Sequence, residues 1–161
     1  MRRHFLLALL LFLGACGFQL RGSYPLPFST LYIALPETSE LHAVLKRAIV
    51  AGSSVKLVAT QAQAQATLMV LGDTLVKNIL TISAAGQAQE YELLRTFRFR
   101  VADKDGKDWL PLSQLVLRRE ITFNSSQVLS KEAEEVLLWR DIQNDLVQQV
   151  LRRLAAAKPP V

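Results

Sequence analysis

The spacing of apolar side chains predicts a strand, a helix and a second strand in the first half of the chain. From Ser29 to Leu35 apolar and polar residues alternate, which is typical of a strand buried on one face. From Ser39 to about Gly52 apolar residues recur every three or four positions, which predicts a helix. Val55 to Ala59 predicts the second strand. Because the connections are short, these elements should form a right-handed parallel crossover.

The middle of the chain predicts two long strands joined by a tight turn. Thr67 to Ser83 is rich in aliphatic and β-branched residues and contains no proline, with a bulge expected near Gly72 or Asn78. A second run, from Glu90 to Ala102, alternates apolar and polar residues. Gly86 lies between the two runs, so they should form an antiparallel hairpin.

A fifth strand and a long helix complete the pattern. An Asp-Gly pair at Asp105 and Gly106 predicts a turn, and Leu115 to Phe123 then alternates as a strand. A polar loop covers Asn124 to Ser130, and Ser130 is the expected N-cap of a last helix. The apolar stripe of this helix consists of Trp139, Ile142, Leu146, Val150 and Leu154.

These elements together predict an α+β fold. The expected architecture is a two-layer sandwich, in which a mixed β-sheet carries two helices packed on one face. The domain is expected to cover residues 29–157, and residues 158–161 form a short C-terminal tail. A chain of this length is long enough for one ordinary hydrophobic core and too short for two domains.

The N-terminus has the pattern of a bacterial export signal. Arg2 and Arg3 precede an uninterrupted apolar run from Phe5 to Leu13. This run is shorter than the roughly 18 apolar residues that a transmembrane helix needs. Residues 1–15 are therefore set aside as a signal peptide that is removed from the mature protein.

The residues Leu13-Gly14-Ala15-Cys16 resemble the lipobox of bacterial lipoproteins. The resemblance implies that Cys16, the only cysteine, carries a covalent diacylglycerol and an N-acyl chain, with no other cofactor. Several acyl chains anchor a protein stably, at roughly 0.8 kcal/mol for each buried methylene. Residues 16–28 then form the acylated N-terminus and a tether. The alternative is that Cys16 is a small buried apolar residue, or that it only lies near an ordinary signal-peptidase cleavage site.

Composition and compartment narrow the function classes. The chain has 19 Lys and Arg, 14 Asp and Glu and a charge of +5, and removal of the signal peptide lowers this charge to about +3. Because the chain is exported and its basic residues are scattered, no nucleic-acid partner is expected. Since Gly17 rather than aspartate follows Cys16, analogy with lipoprotein sorting predicts the periplasmic side of the outer membrane of a Gram-negative cell.

The residue inventory also argues against an enzyme. After processing, His42 is the only histidine, and it lies off the apolar stripe of its helix. The serine-hydrolase and zinc-protease motifs are absent, so neither a triad nor a soft-metal site has its parts. The acidic run Asp103 to Asp108 has a hint of a calcium loop but lacks the required spacing and the closing glutamate. A hairpin turn is the better interpretation of that run.

Several motifs, in order, make the chain similar to the LPS-assembly lipoprotein LptE family. They are the lipobox cysteine followed by Gly17-Phe18-Gln19-Leu20-Arg21-Gly22, Gly86 followed by Glu90-Tyr91, the segment Phe123 to Lys131, and the late Leu151-Arg152-Arg153-Leu154. The resemblance covers essentially the whole mature chain. It implies a lipoprotein that plugs and helps to assemble the LptD outer-membrane β-barrel, and that assists transport of lipopolysaccharide and its insertion into the outer leaflet.

The resemblance also implies a binding residue. Family members are held to bind lipopolysaccharide through basic residues, one of them just before the last helix, and Lys131 matches that position. A solvated lysine at a helix start is the alternative interpretation. A second basic position expected at the hairpin tip is occupied by Ala84 and Ala85. Arginines of the following strand, Arg95, Arg98 and Arg100, are candidates to replace it.

Two function hypotheses follow from the sequence. The first is a plug and assembly factor of a large outer-membrane barrel in lipopolysaccharide export. The second is a free lipid- or glycolipid-binding lipoprotein on the periplasmic side, without a barrel partner, whose long hairpin and apolar helix enclose the ligand. The first predicts co-purification with one barrel, whereas the second predicts a monomer that carries lipid.

Overall fold

The computed structural model describes residues 24–123 and 127–160. Within these ranges the chain forms five strands and two α-helices. The elements are β1 (Thr30–Ala34), α1 (Glu40–Gly52), β2 (Lys56–Leu57), a 3₁₀ turn (Gln61–Gln63), β3 (Ala66–Ile82), β4 (Ala88–Ala102), β5 (Asp108–Thr122) and α2 (Val128–Ala155). Each predicted strand and helix is therefore present, with changes at some ends.

The five strands form one mixed sheet in the order β2-β1-β3-β4-β5. β1 runs parallel to both β2 and β3, whereas β4 is antiparallel to β3 and to β5. The parallel pairing of β1 and β2 agrees with the predicted crossover, and the α+β prediction with a mixed sheet and two helices is confirmed.

The core lies between the sheet and the two helices. Alternation puts Phe97, Phe99 and Val101 of β4 on the covered side of the sheet, where all three are fully buried. They join one cluster with residues of both helices, including Ile49 of α1 and Leu146 of α2. The stripe predicted for the last helix is therefore a core stripe, fully buried from Ile142 onward.

Local signals account for the ends of α1. Ser39 is its N-cap, and the Ser39 Oγ accepts a hydrogen bond from the backbone N–H of His42 at 3.1 Å. Gly52 is the last helical residue. Beyond it, Tyr24 donates its backbone N–H to the Gly52 carbonyl at 2.6 Å, which fixes the described N-terminal end of the chain beside the end of α1.

The predicted bulge in β3 is present at Gly72. The β3–β4 register shifts between Val70 and Gly72, and it shifts again between Ile79 and Ile82. A Cβ added at Gly72 would lie 3.0 Å from a terminal nitrogen of the Arg98 guanidinium, so the glycine lets that side chain lie close to the strand.

Two predicted boundaries are wrong. β5 begins at Asp108 rather than Leu115, because Pro111 is tolerated in a strand at the edge of a sheet. α2 begins at Val128, so Ser130 is not its N-cap. Ser130 lies in the first turn and donates its hydroxyl to the Gln127 carbonyl at 2.9 Å. The first three residues of the predicted loop, 124–126, lie outside the described residues.

Candidate functional site

The candidate site is the end of the molecule that projects beyond β1, which we call the distal end. It comprises β3 from Gly72 to Ile82, β4 from Ala88 to Arg98 and the first turns of α2. β1 stops pairing with β3 at Met69, so the hairpin continues past it without that neighbour. At about 3.3 Å per residue, the ten steps from Gly72 to Ile82 span roughly 33 Å.

Lys131 lies within the first turn of α2 rather than before the helix. The helix starts three residues earlier than the motif comparison assumed, because Gln127 and not Ser130 is the N-cap. The Lys131 side chain is 19% exposed, and its Nζ pairs with Glu134 Oε2 at 2.8 Å. A positive charge in this position is mildly opposed by the helix dipole, and the neighbouring carboxylate offsets that effect.

Lys77 is a second lysine at the distal end that the sequence reasoning missed. Its Nζ lies 2.6 Å from Glu135 Oε2 and 4.3 Å from the centre of the Tyr91 ring. Glu135 also accepts a hydrogen bond from the indole nitrogen of Trp139 at 3.4 Å. Lys77 and Lys131 thus pair with two consecutive residues, Glu135 and Glu134. The hairpin register explains the contact, because Tyr91 pairs with Ile79 and is therefore the diagonal neighbour of Lys77 on the same face of the sheet.

The hairpin tip carries no cationic side chain. The turn is closed by hydrogen bonds between Ser83 and Gln87 (2.7 Å) and between Gly86 and Ser83 (2.9 Å). Gly86 has a φ of +75°, a left-handed conformation that glycine adopts without steric cost. Ala84 and Ala85 are exposed in this turn, as the sequence predicted.

The three arginines of β4 do not replace the basic residue missing from the tip. Arg95 is seven residues from the start of β4, about 23 Å from the turn, and Arg100 is about 40 Å away. Arg95 is 4% exposed and binds Asp73 through two hydrogen bonds of 2.8 and 2.7 Å. Arg100 pairs with Asp108 at 3.3 Å, beside the opposite turn. Arg98 lies opposite Gly72 in the hairpin register.

Exposed apolar side chains lie on the same two elements as the lysines. Ile79 and Ile82 on β3 and Leu129 and Val136 on α2 are large side chains that remain exposed. Tyr91 packs edge-on against Phe123, with 5.8 Å between the ring centres, beside a cleft of about 550 Å³ at the base of the turn. The distal end therefore presents ammonium groups, aromatic rings and aliphatic side chains together.

The other sequence-based candidates have simpler structural roles or lie outside the described residues. Cys16, the predicted lipid anchor, lies outside them. The acidic run forms a turn in which the Asp103 carboxylate accepts the backbone N–H groups of Asp105 and Lys107, both at 2.9 Å. Across residues 24–123 and 127–160, no three His, Cys, Asp or Glu side chains group as metal ligands would. Neither helix in those ranges has the length and hydrophobicity needed to cross a membrane.

Comparisons with known proteins converge on one family. The family model described as LptE, lipopolysaccharide-assembly, matches residues 28–154. A relative named LPS-assembly lipoprotein LptE, from Pectobacterium atrosepticum, is 32% identical over 155 residues, which cover 92% of this chain and 80% of the relative.

Two solved structures are similar in fold. The solution structure of the uncharacterized lipoprotein B from Nitrosomonas europaea has a TM-score of 0.76 and 33% identity, over 87% of this chain and 91% of that one. A minor lipoprotein from Acinetobacter baumannii has a TM-score of 0.67 and 27% identity, over 84% of this chain and all of that one.

Proposed function

The chain belongs to the LptE family of lipopolysaccharide-assembly lipoproteins, and from this premise we propose that it plugs and helps to assemble an LptD-type outer-membrane barrel. In this role it assists the transport of lipopolysaccharide and its insertion into the outer leaflet, without catalysing a reaction. The match of the family model to residues 28–154, nearly the whole described part of the chain, is the observation that carries this proposal.

The shape of the molecule supports the plug role. We propose that Cys16 carries the lipid anchor in the outer membrane. Tyr24 lies beside the end of α1 and donates its hydroxyl to Gln148 at 3.1 Å, far along α2 from the distal end. The eight residue steps from Cys16 to Tyr24 reach at most about 29 Å. The sixteen residue steps of β3 span about 53 Å. With the anchor on that side, β3 is therefore longer than the roughly 25 Å apolar band of an outer-membrane barrel.

The packing disfavours the alternative of a free lipid-binding lipoprotein. That hypothesis needs the hairpin and the last helix to enclose an acyl chain. Instead, Leu146 and Val150 of α2 belong to the same buried cluster as Phe97 and Phe99 of the hairpin. Near the distal end the same interface is occupied by polar contacts, among them the pair of Lys77 with Glu135.

We propose that Lys131, together with Lys77, contacts the phosphate groups of lipopolysaccharide. Among the described residues each ammonium group pairs with one glutamate, and a phosphate can displace that carboxylate and receive the charge-assisted hydrogen bond instead. The exposed side chains of Leu129 and Ile79 lie on the same elements as the lysines. They suit an amphipathic ligand with phosphates beside acyl chains.

Co-purification tests the barrel partnership. The full lipidated chain, tagged at its C-terminus, is extracted from outer membranes in mild detergent, and stoichiometric partners are identified by mass. We expect one large β-barrel protein in a 1:1 ratio. A lone lipoprotein under conditions that preserve other barrel complexes would contradict the plug role.

A binding measurement tests the lysines separately. We expect Lys131→Ala to weaken binding of purified lipopolysaccharide several-fold, with a further loss in the double variant with Lys77→Ala, and to leave barrel co-purification unchanged. Lys46→Ala removes an exposed lysine from α1 and serves as the matched control. Equal affinities for all variants would contradict the phosphate contact, and the plug role would be unaffected.

A further inference from the structure

The outer edge of β3 lacks a neighbouring strand over most of its length. β1 pairs with β3 only from Ala66 to Met69. From Gly72 to Ile82, β4 is the only hydrogen-bonded neighbour of β3 in the described part of the chain. We call this segment the β3 distal edge. Backbone groups alternate in direction along a strand, so about half of its N–H and C=O groups face away from β4.

Aliphatic side chains stand on both faces of the β3 distal edge. Leu75 and Ile79 lie on the side of the sheet that carries the helices, because they pair with Arg95 and Tyr91, and they are 52% and 58% exposed. Val76 lies on the opposite face and is also exposed. A strand that presents unpaired backbone and apolar side chains together is a template for another strand.

Charges do not protect this edge. Its two ionic residues, Asp73 and Lys77, are held in ion pairs with Arg95 and Glu135. They therefore point into contacts within the molecule and do not repel an approaching strand. A segment that pairs here would meet mainly aliphatic and neutral polar side chains.

The opposite edge of the sheet, formed by β5, has features that prevent pairing with another strand. β5 contains Pro111, which lacks an N–H, and the exposed charged residues Arg118 and Glu120. Lys158, which follows α2, also donates its backbone N–H to the Trp109 carbonyl of β5 at 3.1 Å. Proline, charges and a covering segment are the devices by which proteins prevent edge pairing. Within the described residues, the β3 distal edge has no proline and no covering segment, its two charged side chains are held in ion pairs, and its register shifts lie only at its two ends.

We propose that the β3 distal edge pairs with an extended segment of the barrel partner, which adds a strand in line with β1. This inference rests on the proposed function. The occupant is an extended polypeptide because the edge offers a row of backbone hydrogen-bonding groups. Its side chains are uncharged, with apolar residues on both faces, to match Leu75 and Ile79 on one face and Val76 on the other. The position continues an existing interface, since β1 already occupies the same edge from Ala66 to Met69.

Site-specific photocrosslinking tests the location of the contact. Benzoylphenylalanine is placed at Leu75 or Ile79 of the full lipidated chain, and the cells are irradiated intact. Leu112 and Val116 of β5, which are 62% and 44% exposed, serve as matched control positions. We expect an adduct with the barrel protein from the β3 positions at least fivefold more abundant than from the β5 positions, mapped by mass to one short barrel segment.

Lysine substitution tests whether the edge contributes to complex formation. We expect the double variant Leu75→Lys and Ile79→Lys to lower the yield of co-purified barrel at least tenfold. The control pair Leu112→Lys and Val116→Lys should lower it less than twofold. Because all four side chains are exposed, we expect both double variants to fold. Unchanged circular dichroism spectra and thermal unfolding curves check this expectation.

Amide hydrogen exchange distinguishes strand pairing from side-chain contact. In the complex, peptides that cover residues 72–82 should exchange at least tenfold more slowly than in the free chain, whereas those of β5 should change little. Barrel co-purification without this protection, or with equal crosslinking from β3 and β5, would overturn the inference and leave the plug role standing. Crosslinked dimers of this chain would overturn it in favour of a second copy. Failure to recover any barrel would remove the proposed function itself.

Discussion

The two halves of β3 have similar residues and opposite environments. In the first half, Ala66 and Leu68 are completely buried, because β1 lies beside them and the core cluster covers them. In the second half, Leu75 and Ile79 are more than half exposed, although they are on the same helix-facing side. The difference teaches that neighbours and not residue type decide burial, and that the apolar content of the second half serves something other than the core.

Leucine truncation on the two halves should give the largest difference. We expect Leu68→Ala to lower the free energy of unfolding by about 2–5 kcal/mol, because it leaves a cavity in a fully packed site. Leu75→Ala should cost less than about 1 kcal/mol, since its side chain is already half in water. Denaturant unfolding of the full chain, followed by circular dichroism, measures both values.

Similar stability losses at Leu68 and Leu75 would contradict the contrast between the two halves of β3. Similar losses for the two variants would mean that the distal half of β3 packs against something in the free protein. Ile79→Ala repeats the measurement at a second exposed position and should also stay below about 1 kcal/mol.

The ion pair of Asp73 and Arg95 lies where the exposed half of β3 meets the covered hairpin. Arg95 also approaches Gln143 at 3.5 Å, and Gln143 donates to Glu40 of α1 at 2.9 Å, so the pair joins a polar chain across both helices. We expect Asp73→Ala to cost about 3 kcal/mol, because the buried guanidinium loses its partner. Asp145→Ala, which removes the partner of the more exposed Arg119, should cost at most about 1 kcal/mol.

A double variant separates the interaction between Asp73 and Arg95 from the other contacts of each side chain. Arg95→Met together with Asp73→Ala should recover part of the loss of Asp73→Ala, since it leaves no unpaired buried charge. A double variant as unstable as the sum of the two single variants would indicate that the side chains act independently, contrary to the two short hydrogen bonds that join them.

Most of the fold was predictable because alternation and helical spacing are local signals. The predicted strand lengths already implied that the two halves of β3 have different neighbours, since a seven-residue first strand cannot pair with the whole of a seventeen-residue strand. The strand order, which leaves β3 open beyond Met69, depends on tertiary pairing and was not visible. The burial of Arg95 was missed for the same reason, because its partner Asp73 is 22 residues away along the chain.

The error in the predicted start of α2 had a different cause, and it affected the position of Lys131. Ser130 was a plausible N-cap from its residue type alone, but the helix continues one turn further toward the N-terminus without any side-chain cap at Gln127. The position of Lys131 relative to the helix therefore shifted, although its residue identity did not. The motif comparison therefore identified which residue to consider, but not where the helix begins, and phosphate contact at Lys131 stays a prediction.

The helix starts offer the smallest and sharpest contrast, since α1 begins with a capped turn and α2 does not. We expect Ser39→Ala to lower stability by about 1 kcal/mol, because the His42 N–H loses its acceptor. Gln127→Asp should raise it by about 0.5–1 kcal/mol, since a carboxylate at that position can accept a backbone N–H of the first turn and interacts favourably with the helix dipole. Thermal unfolding of the two variants measures both signs. If the aspartate brought no gain, the first backbone N–H groups of α2 would already have other hydrogen-bond acceptors. The start of α2 would then be more stable than the absence of a side-chain cap at Gln127 indicates.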